Sequence, residues 1–499
     1  MHAIFLDKIL KLDAFETDNN DACEACQTST GIFCCLSCVD TWHLCQACIV
    51  AGHEGLPLHR IEQWCSLFFH RMTLARLGLQ FKLGHKCLSP CLFPVMVSDF
   101  VIIDTDGIHT VNMVFCNCTQ GISPYIQLLH QRLFPATTIH PHTAFTFHVL
   151  HFFQLLSFMS KVSVHEFYQT LVRLTDNSGM YTPPDRYQAF LRVMREWQHI
   201  HALKRFGHGH EPSGIPGTKQ GELALHCPAC PQPSINLPPD WRKNLTLTFT
   251  PRAAHWLYRL FLAIDANFWL CQLNVSSNES DPGLNAGYAY FVEEATFHSH
   301  LAAFGKVIPK EEKSTCNNHN VVKLANSRGG NGAAATGVSA VVCGWHDMKR
   351  PMSVGDLQKG ERYLNMDYFI LSTLLDNMPP ELVISYNITC QWHKKFFARI
   401  SQYPQSLRLM QSEWDILYLV PNFHLPAHVL KCHDNFSFNF STGVGWAATN
   451  ALAASTKEMG PGAHRDTLDD HFGDHNWRKI IILGIYVILS MAESANPQV

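Results

Sequence analysis

Cys23, Cys26, Cys35, Cys38, Cys45, Cys48, His53 and His59 follow the spacing C-x2-C-x8-C-x2-C-x6-C-x2-C-x4-H-x5-H. Each C-x2-C pair sets two thiolates on one tight turn, the spacing a tetrahedral ion requires. These eight soft or imidazole ligands make two Zn2+ sites. The expected pairing is interleaved: Cys23, Cys26, Cys45 and Cys48 on one ion, and Cys35, Cys38, His53 and His59 on the other. A sequential pairing stays open. Cys34 is left over as a non-ligand. Closed sites of this kind are structural, because the metal supplies folding free energy that a short segment lacks. The module could bind DNA or protein, and its spacing does not decide which.

The whole chain has 19 Cys and 30 His among 499 residues. Its beginning, MHAIFLDKILKLDAF, carries acids early and lacks a long apolar stretch, so no secretion signal is expected and the cysteines are expected as thiols or zinc ligands. Further metal candidates follow. Cys87 and Cys91 precede Cys116 and Cys118, with His85 and His109 nearby, as a candidate third site. Cys227-x2-Cys230 is a tight pair without assigned partners. Cys316-x2-His319 and Cys343-x2-His346 flank a Gly/Ala-rich stretch and could close one C-x2-H…C-x2-H site.

Hydrophobic residues make up 46% of the chain and charged residues 16%, which excludes a disordered polymer. The formal net charge of -3 excludes a whole-chain basic field for nucleic acid, so any DNA contact must use local patches. The apolar run at 480–492 is shorter than the ~20 residues of a membrane span, and a buried helix or strand is expected there. Residues 1–20 look like a weakly ordered lead-in, 21–64 are the zinc-binding cluster, and 65–140 are short strands with a hairpin at Asp106-Gly107. Residues 141–220 are helices ending in a Gly/Pro-rich linker, and 221–499 alternate strand and helix signals. The stretch 325–338 is expected as an exposed loop.

Within LFLAIDANFWL, Asp265 sits in an apolar run. An ionised carboxylate is costly there unless a metal, a hydrogen-bonding partner or a strand end compensates it. Asp469 and Asp470 suit a helix cap, Asp367 a surface position, and His424 and His428 a hydrogen-bonded structural role, because Pro426 interrupts a regular helix between them. QWHKKFFARI suits a helix that exposes Lys394, Lys395 and Arg399 and buries Phe396, Phe397 and Ile400.

The cysteine cluster, then LHRIEQW and FFHRMTLARLGLQFKLGH, resemble the CxC-type cysteine-cluster domain associated with fungal KDZ (Kyakuja-Dileera-Zisupton) transposases. GELALHCPACPQPSINLP, LFLAIDANFWL, GDLQKGERYLNMDY, ISYNITCQWHKK, PNFHLPAHVLKC and STKEMGPGAHRDTLDDHFGDHNWRK resemble the same family. The resemblance implies a mixed α/β fold: an RNase H-like (DDE transposase) core with insertions behind a small zinc-binding domain. In such a core, carboxylates hold two Mg2+ or Mn2+ ions that clamp an in-line phosphoryl transfer. Asp265 matches the first acid. Where the family has the second, this chain has Asn387, a neutral amide, followed by the supporting motif Cys390 and His393. The third acid is absent: GVG at 443–445 runs directly into WAATNALAASTKEMGPG, without the family's acidic stretch.

The resemblance therefore implies a transposon-derived, nuclear protein without a membrane span, zinc-stabilised, with a degenerate and C-terminally truncated core that is catalytically inactive. Mg2+ or Mn2+ is expected only if the core is active. DNA at transposon ends is the implied partner, and the zinc cluster could hold protein partners. Two alternatives remain: an active transposase or nuclease behind a gene-model error, and a domesticated zinc-dependent DNA- or protein-binding module.

Overall fold

The computed structural model describes residues 1–12, 14, 22–40, 42–84, 91–118, 122–241, 258–306, 316, 332–374, 378–438 and 444–495, with side chains of the last helix up to 487. Cys87 and His319 lie outside the described residues. The chain divides into two units, Met1–Met194 and Arg195–Val499.

In the first unit, His2–Leu12 is a helix with no buried side chain, where irregular chain is expected. Strands β1 (Phe33–Cys35), β2 (Ile61–Trp64) and β3 (Phe69–Met72) form an antiparallel sheet around the cysteine cluster. Its core is small: Phe33, Cys35, Ile49, Ile61, Leu74, Leu77 and Leu79. A second sheet contains β4 (Gln80–Lys82), β5 (Pro94–Asp104), β6 (Gly107–Cys116), β7 (Leu133–Pro135) and β8 (Thr143–Thr146) in the order β4-β6-β5-β8-β7. The β5–β6 hairpin closes at Asp104↔Gly107, where Gly107 has φ +143° that an L side chain rarely adopts. Two helices follow. Thr146 caps Phe147–Ser160 through Val149 N, and Ser163 and Glu166 form a reciprocal capping box on Val164–Thr175.

The second unit is built on one mixed sheet. Its strands are β9 (Leu260–Asn267), β12 (Gly337–Cys343), β13 (Lys349–Leu357), β14 (Glu381–Tyr386), β15 (Asp415–Pro421) and β16 (Ser437–Phe438), in the order β13-β12-β9-β14-β15-β16. β13, β12 and β9 alternate in direction, each antiparallel to the next, while β14, β15 and β16 run parallel to β9. All seven residues of β12 are buried, as expected for a central strand covered on both faces. Short strands β10 (Gln272–Leu273) and β11 (Ala333–Ala335) pair beside it, and Ala335 and Val338 are buried. The Gly/Ala-rich segment thus feeds the sheet at its end; the part up to 331 is outside the described residues.

The helix Tyr363–Ser372 packs its apolar residues on this sheet, with Phe369 against Gly355 of β13. A Cβ on Gly355 would stand 2.1 Å from Phe369 Cε1. Gly355→Ala is expected to cost about 1–3 kcal/mol by overpacking, read as a lower denaturant midpoint.

The final helix, Pro461–Ala495, corrects the burial expected at 480–492. Ile480 packs on the core, but Ile481, Ile482, Ile485, Tyr486 and Val487 are exposed. Among the described residues no helix is long and apolar enough to cross a membrane.

Candidate metal centres and strand-end site

In the second unit, β9 and β14 run parallel with Ile264 opposite Tyr386, so Asp265 and Asn387 follow at the same level on adjacent strands. This is the carboxyl end of parallel strands, where open α/β sheets hold ligands. Burial pushes the Asp265 carboxyl up to about 6, while the Ala266 amide and the Trp446 indole pull it back. Asn387 is buried, and its Oδ1 has no hydrogen-bond partner among the described residues.

Glu361, which sequence reasoning did not single out, joins them. Its Oε2 accepts from Tyr386 Oη at 2.9 Å and from Asn387 Nδ2 at 3.5 Å. Burial, then the Glu361 charge, then Tyr363 and Asp265 push the Tyr386 phenol well up. Glu361 lies 96 residues after Asp265 in the sequence. That distance is why no local motif joins them.

 

An open groove of about 740 Å³ runs beside this corner, lined by Asn267, Trp269, Trp446, Asn450 and Lys457 among others. The junction that enters it is held on both sides. Gly445 N donates to Asp347 Oδ1 at 3.0 Å, and buried Lys349 Nζ donates to Gly445 O at 3.3 Å. Val444, Trp446 and Leu452 pack with Leu270, Tyr290, Leu468 and Phe472. Two bridging cations need several converging carboxylates. No group of three or more converging Asp, Glu, Cys or His ligands among the described residues includes Asp265, so the residues present do not fit such a pair.

Other acids have different work. Asp367 is not on the surface: it is fully buried and takes Arg399 Nε at 2.7 Å, Arg399 Nη2 at 2.9 Å, Trp392 Nε1 at 2.8 Å and Tyr403 Oη at 3.0 Å. Arg399 is correspondingly buried, while Lys394 and Lys395 stay exposed. Asp469 and Asp470 lie inside the helix Pro461–Ala495 and not at its cap. Asp469 accepts from Tyr290 N and Phe291 N at 3.1 and 3.2 Å, and burial pushes it up to about 7.

Among the described residues, cysteines and histidines gather into five groups whose ligand atoms lie within 4.8 Å of one another. In the first unit, Cys23, Cys26, Cys45 and Cys48 converge, and Cys35, Cys38, His53 and His59 converge, an interleaved arrangement. A tetrahedral zinc with Zn–S of about 2.3 Å and Zn–N of about 2.0 Å has S···S edges near ~3.8 Å and S···N edges near ~3.6 Å. Cys26 and Cys45 sulfurs stand 3.9 Å apart, and His59 Nδ1 stands 3.5 Å from both Cys35 and Cys38. His53 Nδ1 donates to Ile49 O at 2.7 Å, which leaves Nε2 as the ligand atom, 3.5 Å from Cys38 Sγ. The Thr28 hydroxyl holds the Cys26 thiol down to about 6, and crowding by Cys45 pushes Cys48 up to about 12. A divalent cation is what lets such crowded thiols ionise together. Cys34 stands outside both groups.

Cys91, Cys116 and Cys118 form a third group; His109 instead bonds Asp106 at 2.7 Å. In the second unit Cys316 and Cys343 fall into different groups. Cys343 and His346 join Cys227, with His346 Nδ1 at 3.4 Å from Cys227 and 3.5 Å from Cys343. Cys230 is buried beside this group, and its contacts with Cys227 and Cys343 push its thiol up. Cys316 instead meets Cys390, His428 and Cys432. His393 is not in that group; its Nδ1 donates to Thr389 O at 2.7 Å.

Residues 258–476 match the family model of the Kyakuja-Dileera-Zisupton transposase, and residues 74–179 match that of the CxC2 like cysteine cluster associated with KDZ transposases. No curated protein and no solved structure matches the chain. The first match holds Asp265, Glu361 and Asn387; the second begins after His59, so the interleaved ligand set precedes it. The chain is thus similar to a KDZ transposase over residues 258–476 and, earlier in the sequence, to the cysteine cluster that accompanies such transposases.

Proposed function

We propose that this is a transposon-derived, zinc-stabilised DNA-binding protein of the nucleus whose strand-transfer chemistry is lost. The sheet order supports an RNase H-like core: taken along the chain from β9, its strands run third, second, first, fourth, fifth, with the last two parallel to the first. The observation that carries the loss is the strand-end corner, where Asp265 stands beside a neutral Asn387 and a desolvating environment raises its pKa. Zinc fits the clustered thiolates and imidazoles, and the similarity of residues 258–476 to a transposase favours DNA as the partner.

The test uses Asp265→Asn. The folded carboxyl titrates at about 6 against 3.8 unfolded, so the folded state holds more protons between those values and the parent loses stability as pH rises through that window. The variant is expected to gain stability over the parent above pH ~6, by ~1–2 kcal/mol after solvent screening, and to match it below pH ~4. Mn2+ is expected to shift neither melting temperature and to elicit no DNA nicking. Asp265-dependent nicking, or Mn2+ stabilisation of the parent only, overturns the reading.

Glu361 favours one second reading, an active nuclease in which this acid supplies the charge that Asn387 lacks. Nicking abolished by both Asp265→Ala and Glu361→Ala would establish it.

A further inference from the structure

We propose that Cys316, Cys390, His428 and Cys432 bind one zinc ion that clamps the chain just beyond the end of β14. All four are buried, and their ligand atoms lie within 4.8 Å of one another. The Cys316 and Cys432 sulfurs stand 3.8 Å apart, far beyond a disulfide's ~2.05 Å and at the edge length of a tetrahedral zinc. His428 Nδ1 stands 3.3 Å from Cys316 Sγ and 3.5 Å from Cys390 Sγ, again tetrahedral edges.

The histidine is oriented for this role. Its Nε2 lies 2.9 Å from Asn387 O, and a carbonyl can only accept, so Nε2 carries the proton. Nδ1 then presents its lone pair to the sulfurs, as the outer hydrogen bond of a metal-bound imidazole commonly arranges. Val429 and Phe436 pack against the three cysteines, closing the site as in structural zinc centres.

The ligands come from separate places: Cys390 from the turn Thr389–Trp392, His428 from the end of the turn Asn422–Ala427, and Cys432 from the helix Leu430–Phe436. The ion would therefore join the segments that follow β14 and β15. Through His428 it also fixes the carbonyl of Asn387, the residue level with Asp265. The site does not depend on whether that corner retains chemistry.

Zinc per chain, measured by elemental mass spectrometry on the full-length protein, tests the assignment. Cys432→Ala is expected to lose one equivalent, and His428→Cys, which keeps four ligands, to lose none. After cobalt substitution, His428→Cys is expected to strengthen this site's share of the thiolate charge-transfer band by about one third, from three sulfurs to four. The parent is also probed without substitution: Cys316, Cys390 and Cys432 are expected to resist alkylation until a chelator removes zinc, then to react together. Unchanged zinc in a folded Cys432→Ala overturns the proposal. If that variant does not fold, alkylation of these three cysteines in the zinc-loaded parent, or their continued protection after zinc removal, overturns it.

Discussion

Cys45→Ser is expected to release two zinc equivalents from the N-terminal module, although Cys45 belongs to one ligand group. Cys45 and Cys48 serve the first group, and His53 serves the second. The helix Gln46–Gly52 links them, with Cys45 at its N-cap and His53 at its C-cap. His53 is also oriented by Ile49 O of the same helix, and Ile49 is the module's fully buried core residue. Loss of the first ion frees this helix and takes the second site with it. The seven buried apolar residues around the cluster cannot replace metal binding worth about 10–16 kcal/mol per structural zinc. The measurement is zinc per chain together with limited proteolysis across residues 23–64. Loss of a single equivalent, with proteolytic resistance intact, would refute the coupling.

Arg399→Leu is expected to destabilise the second unit by about 3–5 kcal/mol, because it leaves the Asp367 carboxylate buried without its counter-charge. Trp392 and Tyr403 still donate, but two neutral donors do not neutralise a full charge. Removing both partners as Asp367→Leu/Arg399→Leu should cost less than the sum of the single changes, since no lone charge remains. Thermal unfolding of the four proteins makes the double-mutant cycle. Additive losses would show that the pair acts only as packing.

Local chemistry made much of this legible. The β5–β6 hairpin follows from Asp-Gly between alternating strands, and β9 from the apolar run around Asp265. The interleaved cysteines declare themselves because their spacing is short. Long-range partners did not. Cys343 keeps the histidine three positions on, His346, but their partner Cys227 lies far back in the chain, and Cys316 meets Cys390, His428 and Cys432 from distant segments. Arg399 looks like a surface cation until Asp367, 32 residues earlier, is seen beneath it. Glu361 escaped for the same reason: its relation to Asn387 exists only through the sheet.

The junction at Gly445 and Trp446 carries a consequence for repair. Asp347 and Lys349 hold Gly445 from one side, and the core grips Trp446 from the other, so each flank is anchored by its own contacts. Extra chain introduced between them could bulge outward into solvent at little entropic cost, since closure grows only slowly with length. An acidic graft at that point is thus a route by which a carboxylate could be brought to the groove without rebuilding the scaffold.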